Sequence, residues 1–238
     1  LFFSANDPTT GRELWSVNSG STSAGRVTDI DPGIGSSGIS GLTRVNDRVF
    51  FTAYDPTNGT ELWFVDSGGA SASRVTDINP GTGSSHPFYL TNVNGRLFFT
   101  ATDPTNGREL WSVNSGGASA TRVTDINPGT GSSNPRYLTN VNGRLFFSAN
   151  DPTNGTELWS VDSGSASATR ITDINFTSGS SYPLNLTNVN DRLFFSANDY
   201  SNGRELWSVN SGGASASRVT DINPTIGSSS PSQLTSVN

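Results

Sequence analysis

Side chains along this chain sort onto two faces over short spans, and the whole pattern then repeats over long ones. Leu97, Phe99 and Ala101 alternate with Phe98 and Thr100, and Leu110 alternates with Trp111, with Val113 beside Trp111. Large apolar residues therefore fall on both faces of the same short segments, the pattern of strands in sheets buried on both sides, and the Trp set is expected in the core. At an offset of 48 residues the chain superimposes on itself. Glu13-Leu14-Trp15 recurs at Glu61-Leu62-Trp63, Glu109-Leu110-Trp111, Glu157-Leu158-Trp159 and Glu205-Leu206-Trp207. Five copies of this length account for nearly all of the 238 residues, so residues 1–238 are expected to form one domain of five repeats.

Each copy predicts four strands. In the third they are Tyr89 to Val93, Arg96 to Ala101, Glu109 to Val113 and Thr121 to Ile126, short segments rich in β-branched and aromatic residues and bounded by turn formers. Asn94-Gly95 is a two-residue hairpin signal, and Asp103-Pro104-Thr105-Asn106-Gly107 is a turn in which Pro sets φ and Gly takes φ > 0. Asn127 to Arg136 is long enough to cross to the next sheet. Four antiparallel strands and a crossover, repeated at 40–50 residues, specify a propeller blade. The expected fold is all-β, a five-bladed β-propeller. The register of the ends further predicts that the last first-type strand, Gln233 to Val237, pairs with Leu1 to Ala5 and closes the ring.

Composition narrows the chemistry. Only 32% of the residues are hydrophobic, but 23 of them are Phe, Trp or Tyr, and 26 Gly and 12 Pro supply the turns. With 10% aromatic and 14% charged residues, the chain is expected to fold rather than remain disordered. The net charge of −6, and arginines spread along the chain without lysine, provide no basic patch, so nucleic acid is not an expected partner. No apolar run reaches the length of a membrane span, so no membrane insertion is expected. Absence of Met and a start within the repeat suggest a mature product or excised domain. Without Cys there are no thiolate ligands or thiol nucleophiles, and a single histidine allows no histidine metal cluster. No cofactor, metal site or catalytic residue is expected.

Gly95-Arg96-Leu97-Phe98-Phe99, Glu109-Leu110-Trp111 and Asp125-Ile126-Asn127-Pro128-Gly129, repeated through all five units, resemble the bacterial ELWxxDGT repeat family. The Asp-Gly-Thr of that family is replaced by Asn114-Ser115-Gly116 or Asp66-Ser67-Gly68, a change confined to a turn. The resemblance implies a secreted bacterial repeat protein and no single activity. In blade number and repeat length the chain is also similar to tachylectin-type five-bladed lectins, a likeness of architecture that does not extend to their binding motifs.

Catalysis needs unlike groups at one point, whereas most polar residues here recur five times. Asp7, Asp55, Asp103, Asp151 and Asp199 read as turn-capping acids, with a ligand contact or a metal ligand as the alternatives. Glu13 and its four equivalents read as a structural network held by hydrogen bonds or a cation, Arg48, Arg96, Arg144 and Arg192 could pair with them or with nearby acids, and Asp29 and its equivalents read as caps of the crossover. Sequons at Asn58, Asn154, Asn175 and Asn185 would matter only in a eukaryotic secretory pathway, and the resemblance to a bacterial family implies that they are incidental. The copies diverge most just before each first strand: Gly38-Ile39-Ser40-Gly41, His86-Pro87-Phe88-Tyr89, Asn134-Pro135-Arg136-Tyr137, Tyr182-Pro183-Leu184-Asn185 and Ser230-Pro231-Ser232-Gln233. These residues and the Asp-Pro-Thr-Asn-Gly turns are expected on one face. The candidate ligand-binding residues are His86, Tyr89, Asn134, Arg136, Tyr137, Tyr182 and Asn185, with Asn58, Asn106 and Asn154 from the turns, types that stack on sugars or hydrogen-bond to them.

The first functional expectation is therefore a multivalent lectin, secreted or at the cell surface, binding glycans or glycoconjugates through shallow repeated sites. The alternative is a structural or protein-interaction module of a larger secreted or surface protein, with cell-surface or matrix proteins as partners and no catalysis. Near-identical copies also predict some strand exchange between chains.

Overall fold

The computed structural model describes residues 1–175, 179–224 and 226–237, and every regular element among them is a β-strand. The first sheet has three strands, β1 (Phe2–Asp7), β2 (Gly11–Ser16) and β3 (Gly25–Thr28). The second comprises β4 (Ser40–Val45), β5 (Arg48–Asp55), β6 (Gly59–Asp66) and β7 (Ser73–Thr76), and the third β8 (Phe88–Val93), β9 (Arg96–Asp103), β10 (Gly107–Asn114) and β11 (Thr121–Thr124). The fourth comprises β12 (Arg136–Val141), β13 (Arg144–Asp151), β14 (Gly155–Asp162) and β15 (Thr169–Thr172), and the fifth β16 (Leu184–Val189), β17 (Arg192–Asp199), β18 (Gly203–Asn210) and β19 (Ser217–Thr220). Sequence neighbours are sheet neighbours throughout. The number and order of these sheets are those of a five-bladed propeller. The Asn94-Gly95 turn has φ of 49° and 80°, the two left-handed residues that match a hairpin to the twist of its strands.

The expected closing pair is not among the strand pairings of the described residues. Among the described residues the first sheet has three strands, β1 pairs with β2, and Gln233–Val237 form no strand. Gln233 nevertheless has a φ of 54°, close to the 57° of Tyr89 and 58° of Tyr137, and Thr187 Oγ1 donates to Leu234 O at 3.4 Å. Local sequence has set the backbone of this segment, but a ladder also requires a second strand alongside, which periodicity does not specify.

The chain divides into two compact units, Leu1–Pro104 with Trp111–Thr121, and Thr105–Leu110 with Arg122–Asn238. In the first, consecutive residues of β5 feed different cores. Phe51 is buried with Leu14, Ile30 and Ile39, whereas Phe50 is buried with Leu97, Phe99 and Val113. In the second, Phe146, Leu158 and Ile171 pack with Leu193, Phe195 and Val209. Each fully buried Phe contributes about 1.5–3 kcal/mol relative to exposure. The tryptophans, expected in the core, are half-buried at its margin, where Trp63 pairs across the sheet with Arg74 and Trp159 with Arg170.

Polar bonds join successive sheets within each unit. Ala72 N donates to Thr28 Oγ1 at 2.7 Å, and Ala168 N to Thr124 Oγ1 at 2.8 Å. Asn92 Nδ2 donates to Arg44 O and Asn188 Nδ2 to Asn140 O, at 2.9 and 3.1 Å. The glutamates are buried, and of the two expected kinds of partner they have hydrogen bonds rather than arginines. Glu157 accepts bonds from Ile174 N, Ser181 N and Ser181 Oγ at 3.4, 2.7 and 2.6 Å, and Glu61 and Glu109 are held in the same way. Arg48 and Arg144 instead pair with Asp66 and Asp162. Three hydrogen bonds satisfy a carboxylate without requiring a buried cation.

Candidate functional site

Every first strand carries a bulge whose extra residue is left-handed. Register against the second strand shifts between Ser40 and Thr43, Phe88 and Thr91, Arg136 and Thr139, and Leu184 and Thr187. The residue one place into each gap, Gly41, Tyr89, Tyr137 or Asn185, has φ between 55° and 67°. Three residues earlier, Gly38, His86, Asn134 and Tyr182 have φ of 60°, 46°, 47° and 45°. The first copy fills both positions with glycine, which occupies this region without steric cost; the later copies place side chains there at a cost of about 1–3 kcal/mol each. The most divergent residues are thus those in the most demanding backbone conformations, and bulges commonly re-aim side chains beside functional sites.

In the second unit these positions surround a cleft of about 260 Å³. Asn134, Arg136 and Tyr137 line it from the crossover and β12, Tyr182, Pro183 and Leu184 from the next crossover and β16, and Ser148, Asn150 and Thr156 from β13 and β14. Backbone bonds fix the frame. Asn150 N donates to Ser133 O at 2.8 Å, and Ser181 N and Tyr182 N both donate to Thr156 O at 3.1 Å. Glu157 anchors the second crossover through Ser181, and burial pushes its carboxyl from the ordinary 4.5 up to about 7, against the opposing effect of the Ser181 and Ile174 bonds. Tyr182 is 54% exposed and Tyr137 39%. Arg136 is the one charged side chain among the described lining residues.

Four of the expected binding residues, Asn134, Arg136, Tyr137 and Tyr182, are therefore brought together. Asn185 lies at the next boundary, where its Nδ2 donates to Pro231 O at 3.3 Å. His86 and Tyr89 hold the matching positions in the first unit, both exposed, with His86 N donating to Thr60 O at 3.2 Å. Asn58 and Asn154 are engaged within their turns, donating through Nδ2 to both oxygens of Asp55 and Asp151 at 2.9–3.1 Å, and Asn106 occupies the same turn position in the third copy. Asp55 also caps Thr57 N and Asn58 N, as expected for these acids. Ser148, Asn150 and Thr156 escape the sequence reading. Their signal was the exchange of Thr60 and Thr156 with Arg12, Arg108 and Arg204 at one repeat position. Among the described residues no group of three or more His, Asp or Glu side chains could hold a metal ion. Phe176 and Thr177 of the sequon at Asn175 lie outside the described residues.

No curated protein matches the chain in sequence. Solved structures similar to it include TolB from Acinetobacter baumannii, 12% identical over 92% of this chain and 52% of that one, with a TM-score of 0.46. A prolyl endopeptidase is 12% identical over 91% of this chain and 32% of its own, with a TM-score of 0.56. A puromycin hydrolase is 15% identical over 90% and 34%, with a TM-score of 0.51. The chain thus spans about half of the first and a third of the other two, and the likeness to the latter pair concerns the fold alone. Residues 94–229, more than half of the chain, match the family described as outer membrane protein assembly factor BamB (PQQ_2), and the chain belongs to that family.

Proposed function

We propose that this protein is a protein-interaction propeller module that presents the crossovers ahead of β8, β12 and β16 to a protein partner, without catalysis. The observation that carries this reading is the set of exposed side chains retained at left-handed positions where glycine would be less strained, Tyr89, Tyr137 and Tyr182 among them. A family described as an assembly factor supports a protein as the partner, and a location at the cell envelope or surface accords with that description. The ELWxxDGT resemblance belongs to the same reading, a repeat module within a larger secreted or surface protein.

A second reading, a lectin, rests on one feature. Arg136, Asn134, Tyr137 and Tyr182 around a single cleft are also suited to a sugar. Labelled protein applied to a peptide array and a glycan array separates the two. Saturable, sequence-dependent peptide binding is expected, weakened in a Tyr89→Gly, Tyr137→Gly, Tyr182→Gly variant whose thermal unfolding is little changed. Saturable glycan binding with a blank peptide array would overturn the module reading in favour of the lectin.

A further inference from the structure

Two polar groups in the cleft of the second unit lack partners among the described residues. Of the 14 arginines, Arg136 alone has no side-chain partner there, whereas Arg108 is engaged and the other twelve bind backbone carbonyls, hydroxyls or carboxylates. Ser148, its cross-strand partner in β13, is only 5% exposed and lines the cleft, yet its hydroxyl also has no partner. Its equivalents are satisfied. Thr52 Oγ1 donates to Pro87 O at 3.0 Å, Ser196 Oγ donates to Leu184 O at 3.5 Å, and Ser4 Oγ accepts a bond from Arg12 Nη2 at 3.2 Å.

The next boundary shows how such a cleft is filled from within. Arg204 stands there in place of Thr156, and its Nη1 donates to Tyr182 O, Ser196 O and Ser196 Oγ at 2.9, 3.4 and 3.5 Å. Thr156 is too short to do this, and its hydroxyl turns to Asn150 Oδ1 at 3.4 Å. Across the five repeats a cation at the Arg136 position coincides with a short residue at the Thr156 position in one copy only, because the counterparts of Arg136 are Ser40, Phe88, Leu184 and Ser232. The cleft has an uncommitted guanidinium, an open hydroxyl, no acid in its lining, and an apolar border of Tyr137, Tyr182 and Leu184.

We propose that this cleft is a carboxylate-recognition site for peptides, in which Arg136 and Ser148 bind the carboxylate while Tyr137 and Tyr182 flank an adjacent apolar side chain. A guanidinium matches a carboxylate in charge and in fork geometry, and the serine hydroxyl donates to the same group. The choice of a peptide over an acidic sugar rests on the protein-interaction reading above. Thr156 keeps the site open, and an arginine at its position closes it, so one repeat position determines which boundaries admit a ligand.

Fluorescence anisotropy of the whole chain with four probes tests this. The first is a labelled Tyr-Leu-Glu peptide blocked at both ends, the second the same peptide with Gln for Glu, the third that Gln peptide with a free C-terminal carboxylate, and the fourth a labelled glucuronic acid disaccharide. At least one carboxylate peptide is expected to bind about tenfold or more tighter than the blocked Gln peptide, and the first and third probes distinguish a side-chain from a terminal carboxylate. Arg136→Gln and Thr156→Arg should each erase that preference with unchanged circular dichroism and thermal midpoint. Equal binding of the carboxylate and Gln peptides, or a preference that survives Arg136→Gln, would overturn the site while leaving the module reading intact. Binding of the disaccharide without the peptides would overturn the peptide assignment, and blank peptide arrays would remove the module reading as well.

Discussion

Glu157 shows what one repeated residue contributes. It is fully buried, and its oxygens hold the crossover that carries Tyr182. Burial pushes its carboxyl and that of Glu109 up to about 7, and that of Glu61 upward. With a folded-state value above the unfolded 4.5, these groups bind more protons folded than unfolded. The contribution of Glu109 and Glu157 is therefore complete below about 4.5 and is lost as the pH rises through about 7, and that of Glu61 is lost in the same direction. The thermal midpoint should fall between pH 5 and pH 8, and Glu157→Gln should flatten that fall, as melting curves in a buffer series would show. A midpoint that rises over this window, or a slope unchanged by the variant, would contradict the assignment. The role of the turn acids was legible in the sequence because Asp55 bonds to backbone only two and three residues away. The glutamate partners were not, because they lie 17 and 24 residues further along the chain.

At the scale of the element, strands and turns were legible and their irregularities were not. Apolar alternation located all four strands in the third copy to within a few residues, since alternation is what a sheet covered on both faces requires. The bulge in each first strand was marked only by Gly38 and Gly41 in the first copy, and the other copies conceal it under larger residues. Close packing of the turns is a further constraint. Gly59 has a φ of +68°, and a Cβ there would lie 2.4 Å from Gly83 O and 2.6 Å from Ser84 Oγ. Gly59→Ala is expected to cost at least about 1–3 kcal/mol, seen as a lower urea midpoint. Gly116→Ala, where a Cβ meets nothing within 4 Å, should change it little.

At the scale of the molecule, repetition itself has consequences. Equivalent strands share one register: Phe51 opposes Trp63, Phe147 opposes Trp159 and Phe195 opposes Trp207. A strand of one chain can therefore replace its counterpart in another with little loss of contact. Refolding at high concentration should leave a dimer fraction with twice the mass of the chain, persistent on dilution, which size exclusion with light scattering would detect; strictly monomeric material would exclude such exchange. The sequence by itself determined the all-β class, the five-fold repeat, the strand order, the turns and the acids that cap them, because each depends on residues close together along the chain. Tertiary structure alone decided that the first described sheet has three strands, that the glutamates bind crossovers rather than arginines, and that Arg136, Ser148 and Thr156 line one cleft. Those outcomes depend on which segments meet after folding, and a near-perfect repeat, by making all segments alike, carries little information about which of them will do so.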